Sequence, residues 1–204
     1  MKFNKSGIAD SYAEFHYGLV ASKRYIITRE AWTRSGCVEV HELGGRYICE
    51  CRSDCFSDVR DTDDGITIRS FDKYYFFLSN FYERPVVVDG NTYTNSEAAF
   101  HAFKCHERRG EFTFLGPKEA KRLGRSVKLR PDWEQVKDDV MRKVVRAKFT
   151  QHEDLKQMLL ETGDAILEEG NTWNDKYWGV DSVTRDGKNM LGKILMEIRD
   201  ELRA

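Results

Sequence analysis

Three clusters bring groups with chemical potential close together in this 204-residue sequence. The first is Phe76-Phe77-Leu78-Ser79-Asn80-Phe81. Aromatics at that density suit a core, but Ser79 and Asn80 interrupt them with polar groups that need partners once buried. Aromatic faces beside amide donors also suit the sandwiching and edge recognition of a flat base. The second cluster is Glu97, His101 and Lys104, spaced four and then three residues apart, which puts all three on one helix face. An acid, an imidazole and an ammonium in one stripe can hold a sugar phosphate. The same stripe can be a solvated face, and Thr94 and Glu97 have capping-box spacing. The third cluster runs Glu168-Glu169-Gly170-Asn171-Thr172-Trp173-Asn174-Asp175-Lys176-Tyr177-Trp178-Gly179. Acids, amides and two tryptophans in a glycine-bracketed loop fit a ligand pocket on a rigid scaffold; Trp178 can instead lid the core. Beyond it, Asp186-Gly187-Lys188-Asn189 meets the start of the last helix, where free backbone N–H groups and Lys188 suit a phosphate.

Two kinds of element must position these clusters. The first third reads as strands: Arg24–Thr28, Cys37–His41 and Arg46–Cys51 are β-branched or alternate in polarity. Gly44-Gly45 between the last two is a hairpin signal. Ile66–Arg69 is a further strand, and the Asp61–Gly65 turn marks a soft boundary near residue 65. After the aromatic run, Arg84–Val88 reads as a strand with Asp89-Gly90 as its turn. Helices are expected over Ser96–Cys105 and over Lys118–Leu123, the latter opened by Gly116-Pro117 and closed by Gly124. A longer helix has Pro131 in its first turn and carries Trp133, Val136, Val140, Met141, Val144, Val145 and Phe149 every three to four residues. Leu155, Met158 and Leu159 mark another, closed by Thr162-Gly163, and Met190, Leu191, Ile194, Leu195 and Ile198 mark the last. The expected class is α+β and mostly helical, with a short β-rich N-terminal region. No Gly-rich loop follows a strand in the nucleotide-binding manner.

Composition narrows the function classes. With 33 Lys and Arg against 34 Asp and Glu, the near-zero total argues against a sequence-independent nucleic-acid coat. The charge is uneven, however: residues 104–148 carry 14 basic against 7 acidic side chains, and residues 153–204 carry 7 against 12. A basic middle beside an acidic tail can form a cleft that holds a phosphate and presents carboxylates. No stretch approaches the ~20 apolar residues of a membrane span, and Met1–Asp10 has no apolar run, so a cytoplasmic protein without membrane contact is expected. The five cysteines, an odd number, read as reduced thiols. Cys37, His41, Cys49, Cys51 and Cys55 are weak candidates for zinc, because the Cys49-x-Cys51 spacing is poor for a structural site; buried thiols in a small sheet fit better.

The chain also resembles the NADAR family, also called YbiA-like. The resemblance is carried by Phe76–Phe81, by Tyr93-x-x-Ser96-Glu97-Ala98-Ala99-Phe100-x-Ala102-x-Lys104, by Ala120-x-x-Leu123-Gly124-Arg125 and by Ala147-Lys148-Phe149. It continues in Glu168-x-Gly170-Asn171, Asp175-x-x-Trp178-Gly179 and Gly187-Lys188-Asn189-Met190-Leu191-Gly192. It covers about residues 71–202, which makes 66–204 the expected catalytic domain and leaves 1–65 as a β-rich extension of unknown role. One departure falls at His101, where glutamine is common in the family.

The resemblance implies hydrolysis of a ribosyl–nitrogen bond by an N-glycosidase. Two substrates are implied: ADP-ribose on guanine in nucleic acid, or a ribose 5-phosphate aminopyrimidine intermediate of riboflavin synthesis. Such a reaction passes through an oxocarbenium-like state and needs a carboxylate near the sugar, a directed water and help for the leaving nitrogen. Glu97 and Asp175 are the expected catalytic acids. Phe77 and Trp178 are expected to stack on the base, and Ser79, Asn80, Asn171 and Asn189 to line it or the ribose together with His101. Lys104, Arg125 and Lys188 are expected to receive phosphate. No cofactor or metal enters this scheme. Two alternatives stay open at this point. One is a non-catalytic module binding ADP-ribose or a nucleotide. The other is a toxin–antitoxin interaction protein that docks a protein partner through residues 1–65. Retention of both acids favours the enzyme.

Overall fold

The structure, a computed structural model, describes residues 5–9, 13–14, 19–21, 23–28, 37–41, 43, 47–52, 55–61 and 66–204. Its N-terminal part is a five-stranded sheet of β1 (Lys5–Ala9), β2 (Arg24–Thr28), β3 (Cys37–His41), β4 (Tyr47–Arg52) and β5 (Phe56–Asp61). The spatial order is β4-β3-β2-β1-β5, antiparallel throughout. β3 and β4 pair with Val40 opposite Cys49. The Gly44-Gly45 turn and residues 62–65 lie outside the described residues, as do the side chains of Cys37 and Cys51. β1 and β5 were not expected as strands. Neither has a β-branched run, and pairing with β2 and with each other makes them strands instead. The sheet has its own small core of Ala9, Ala13, Leu19, Tyr25, Val40, Cys55 and Phe56.

The remainder is helical with short strand pairs. It begins with β6 (Thr67–Ile68) and a 3-10 segment, Lys73–Leu78, then β7 (Val86–Val88) and β8 (Asn91–Tyr93). Helices α1 (Ser96–Ala102), α2 (Pro117–Ser126), α3 (Trp133–Gln151), α4 (Glu153–Leu160) and α5 (Met190–Arg203) follow, with β9 (Ile166–Leu167), β10 (Gly170–Asn171) and β11 (Val180–Asp181) between the last two. β6 pairs with β9, and β10 with β11, both in parallel. α3 is the central helix and packs on α1, α4, α5 and β7. Its buried stripe of Val140, Met141, Val144, Val145 and Phe149 meets Leu191, Ile194, Leu195 and Ile198 of α5 in the main core. Each such side chain contributes about 1.5–3 kcal/mol on burial.

Three boundary expectations change. Thr94 does not cap α1. Asn95 is the N-cap, its Oδ1 accepting from Ala98 N at 2.8 Å, and this releases Glu97 for other contacts. Gly124 does not close α2, which runs on to Ser126. Pro131 precedes α3, which starts at Trp133.

The two parts meet behind the 3-10 segment. Leu43 joins the main core. Lys23 Nζ pairs with Glu161 Oε2 at 2.9 Å, and Arg24 N donates to Tyr75 Oη at 2.8 Å. Burial alone would pull the Lys23 ammonium down, but its bond to Glu161 and the neighbouring Tyr74 hold it above the ordinary lysine range. Among the described residues no helix is long and apolar enough to cross a membrane.

Candidate active site

The 3-10 segment, α1, α2 and the loops flanking β10 enclose a cleft of about 490 Å³. The chain turns at Ser79-Asn80, and Asn80 O accepts from Glu97 N at 3.1 Å, which ties the aromatic segment to the first turn of α1. Asn80 Nδ2 reaches only Met141 Sδ at 3.2 Å, and Asn80 Oδ1 is buried without a partner. A polar edge in this wall therefore still needs a hydrogen bond.

Glu97 lines the cleft and is 8% exposed. Its Oε1 lies 3.0 Å from His101 Nε2, the i to i+4 contact that the helix dictates. Burial lowers the His101 pKa, against the pull of Glu97, and the tautomer protonated at Nε2 donates to the carboxylate. Nδ1 is buried without a partner because it faces Gly124: a Cβ there would lie 2.1 Å from it. Glycine inside α2 costs about 1 kcal/mol of helix propensity and provides room for the ring.

Nothing in the spacing of the Glu168–Gly179 cluster marks Glu169 as its acid. Glu169 lines the cleft, with its Oε2 buried and unpartnered. Burial, then the charges of Asp175 and Glu97, push its pKa up to about 7. Asp175 also lines the cleft, but its Oδ1 accepts from Tyr177 N at 3.2 Å and Trp178 N at 2.9 Å, so one oxygen is committed to the turn. Three carboxylates thus converge on one cavity, and one of them keeps its proton near neutrality. The cleft also carries cations, Lys104 just past the end of α1 and Lys121 and Arg125 from α2. Burial lowers the Lys104 pKa, opposed by Glu97 and reinforced by Arg125 and Lys121. Lys121 precedes Arg125 by four residues, a helix-face signal that the sequence held.

Of the expected site residues, Ser79, Asn80, Glu97, His101, Lys104, Arg125, Asn171, Asp175 and Trp178 line the cleft. Asn171 spends its amide on the loop, donating to Asp175 O at 2.8 Å and accepting from Asp175 N at 3.0 Å. Trp178 stands edge-on to Phe100 at 5.3 Å. Three residues lie elsewhere. Phe77 is 1% exposed and sits edge-on to Phe149 in the core, while its neighbours Phe76 and Phe81 face the cleft. Lys188 lies over the Tyr177 ring at 5.0 Å. Asn189 holds the acid's backbone from behind, Oδ1 accepting from Glu169 N at 3.1 Å and Nδ2 donating to Leu167 O at 2.8 Å. The expected phosphate seat at the start of α5 is filled by the chain itself: the N–H groups of Lys188, Asn189, Met190 and Leu191 donate to Lys176 O, Gly179 O, Tyr177 O and Trp178 O.

Lys148 lies just behind the cleft, fully buried, with Nζ donating to Ser79 O at 2.9 Å. Burial pushes its pKa down to about 7, opposed by the charge of Glu169. In the N-terminal sheet His41 is buried and Cys49 half-buried. No group of three or more potential metal ligands forms among the described residues.

The N-glycosidase YbiA of Shigella flexneri is 48% identical over 133 residues, covering 63% of this chain and 82% of that protein. A riboflavin biosynthesis protein of Vibrio vulnificus is 37% identical over 137 residues, covering 65% of this chain and 37% of that protein. Among solved structures, the E. coli protein YbiA aligns with a TM-score of 0.60 at 44% identity, over 68% of this chain and 84% of that one. The NADAR domain model matches residues 68–203, a span that begins at β6 and contains every cleft-lining residue named above, and the chain belongs to the NADAR domain family.

Proposed function

We propose that the cleft hydrolyses the bond between a ribosyl anomeric carbon and the nitrogen of a base. Its relatives are named for N-glycosidase activity. The observation that carries the reading is the convergence of Glu97, Glu169 and Asp175, with Glu169 raised to about 7. A carboxyl whose surroundings raise its pKa, set among other carboxyls, is how such sites supply an acid at neutral pH. Glu97, given a donor by His101, faces the positive charge that develops on the anomeric carbon. Glu169 delivers its proton to the leaving nitrogen. Water adds its oxygen to the carbon, and its proton restores Glu169. Asp175 raises the Glu169 pKa and holds the loop. Asn80 takes an edge of the base, and Lys104, Lys121 and Arg125 take phosphate.

Residues 66–204 form the catalytic unit in this reading and 1–65 a β-rich extension, with the protein placed in the cytoplasm. The substrates it admits are a ribosylated aminopyrimidine 5-phosphate and ADP-ribosyl guanine in nucleic acid. A paired hydrolysis assay read by mass spectrometry tests it, with Glu97→Gln as control. Glu97-dependent release of ribose 5-phosphate or of ADP-ribose supports the reading and chooses the substrate. Silence with both substrates, from folded protein, favours a binding module.

A further inference from the structure

Trp173 is 60% exposed although it lines the cleft. A large ring left in water at a cavity mouth gives up the burial that tryptophan usually obtains. Its position is not loose. The Asn171 amide clasps Asp175 N and O, which closes a loop with Trp173 at its tip, and Asn174 adopts a left-handed φ of 63° to turn the chain there. Lys121 Nζ lies 5.8 Å from the centroid of the Trp173 ring and 5.2 Å from that of Phe81. Phe76, 41% exposed, lines the same cleft. The mouth thus carries a preset aromatic face with an ammonium beside it.

We infer that Trp173 and Lys121 form an outer seat for a second flat ring carried on a phosphate, so that Trp173 is a specificity-determining residue for nucleotide-bearing ligands. The inference rests on the reading that the inner cleft takes a ribosyl phosphate. Stacking on an aromatic platform serves any base because every base has a π-face, and an ammonium next to it suits the attached phosphate. The ring can belong to a free nucleotide or to a nucleotide within a strand.

The test is calorimetric titration of the full chain with adenosine monophosphate, ribose 5-phosphate and a 5′-phosphorylated single-stranded trinucleotide, repeated with Trp173→Ala and Trp173→Phe. Adenosine monophosphate should bind about tenfold more tightly than ribose 5-phosphate. Trp173→Ala should erase that gap and Trp173→Phe should keep most of it, with unchanged thermal midpoints because the ring is exposed. A trinucleotide that binds more tightly than the monophosphate assigns the seat to a strand; equal or weaker binding assigns it to a free nucleotide. Equal affinity for the two small ligands in the wild type, a gap that survives in Trp173→Ala, or no binding of either overturns the inference. Binding is read without turnover, so failure of the hydrolysis assay beside an intact, Trp173-dependent gap would sink the N-glycosidase reading and leave the seat standing.

Discussion

His101 Nε2 lies 3.0 Å from Glu97 Oε1 while the other face of its ring rests on Gly124, where no side chain fits. The imidazole is fixed between an acid and a helix backbone, so it holds the carboxylate in one orientation. Glu97→Gln keeps the shape and loses the charge; turnover should fall at least 100-fold with an unchanged thermal midpoint. His101→Gln offers an amide N–H to the same oxygen and should retain activity within about tenfold, whereas His101→Ala should lose more. Rates and melting curves measured side by side check both.

Gly124→Ala should destabilise the protein although alanine is the better helix former. The propensity gain is about 1 kcal/mol, and a Cβ placed 2.1 Å from His101 Nδ1 costs about 1–3 kcal/mol through overpacking. In a His101→Ala background the ring is gone, and Gly124→Ala should become stabilising. A double-mutant cycle in denaturant reads the reversal.

Turnover should depend on pH through Glu169. Its folded pKa of about 7 lies above the ordinary carboxyl value, so the proton it donates is present below that pH and lost above it. The rate should fall as pH rises through about 7. Glu169→Gln should lower the rate about 100-fold or more and flatten that limb. An alkaline limb that persists in Glu169→Gln assigns the proton to another group.

Stability should move the other way through Lys148. The unfolded chain keeps this proton up to about the ordinary value of 10.5, while burial lets the folded chain release it near 7. Between those values the unfolded state binds more protons, so stability rises with pH across that window. Lys148→Met should abolish the rise, as read from urea midpoints at pH 7 and 10.

Lys23→Met should cost about 1 kcal/mol by removing the ammonium partner of the part-exposed Glu161, with Lys23→Arg restoring most of it. Thermal midpoints of the full chain check the pair.

Much of the site was legible because helices and loops announce themselves by period and punctuation. The four-residue step from Glu97 to His101 gave their contact, and the apolar stripe from Trp133 to Phe149 gave the central helix. What stayed hidden depended on neighbours distant in sequence. Phe76 and Phe77 are the same residue type side by side, and only the packing of Phe149 against one of them decides which is core. Glu169 lines the cleft while Glu168 pairs with Arg185, a difference that no spacing reveals. Lys188 sits beside a helix start, but the carbonyls that occupy its neighbouring N–H groups come from the fold. Strands β1 and β5 lack any local preference and exist through pairing.

Tyr75 takes a hydrogen bond from the N-terminal sheet, and its neighbour Phe76 faces the cleft. One residue therefore separates the surface that meets ligand from the surface that meets the extension. Arg24 of β2 thus braces the backbone that carries a cleft-lining ring, so loss of that bond should reach the pocket wall without touching a lining residue.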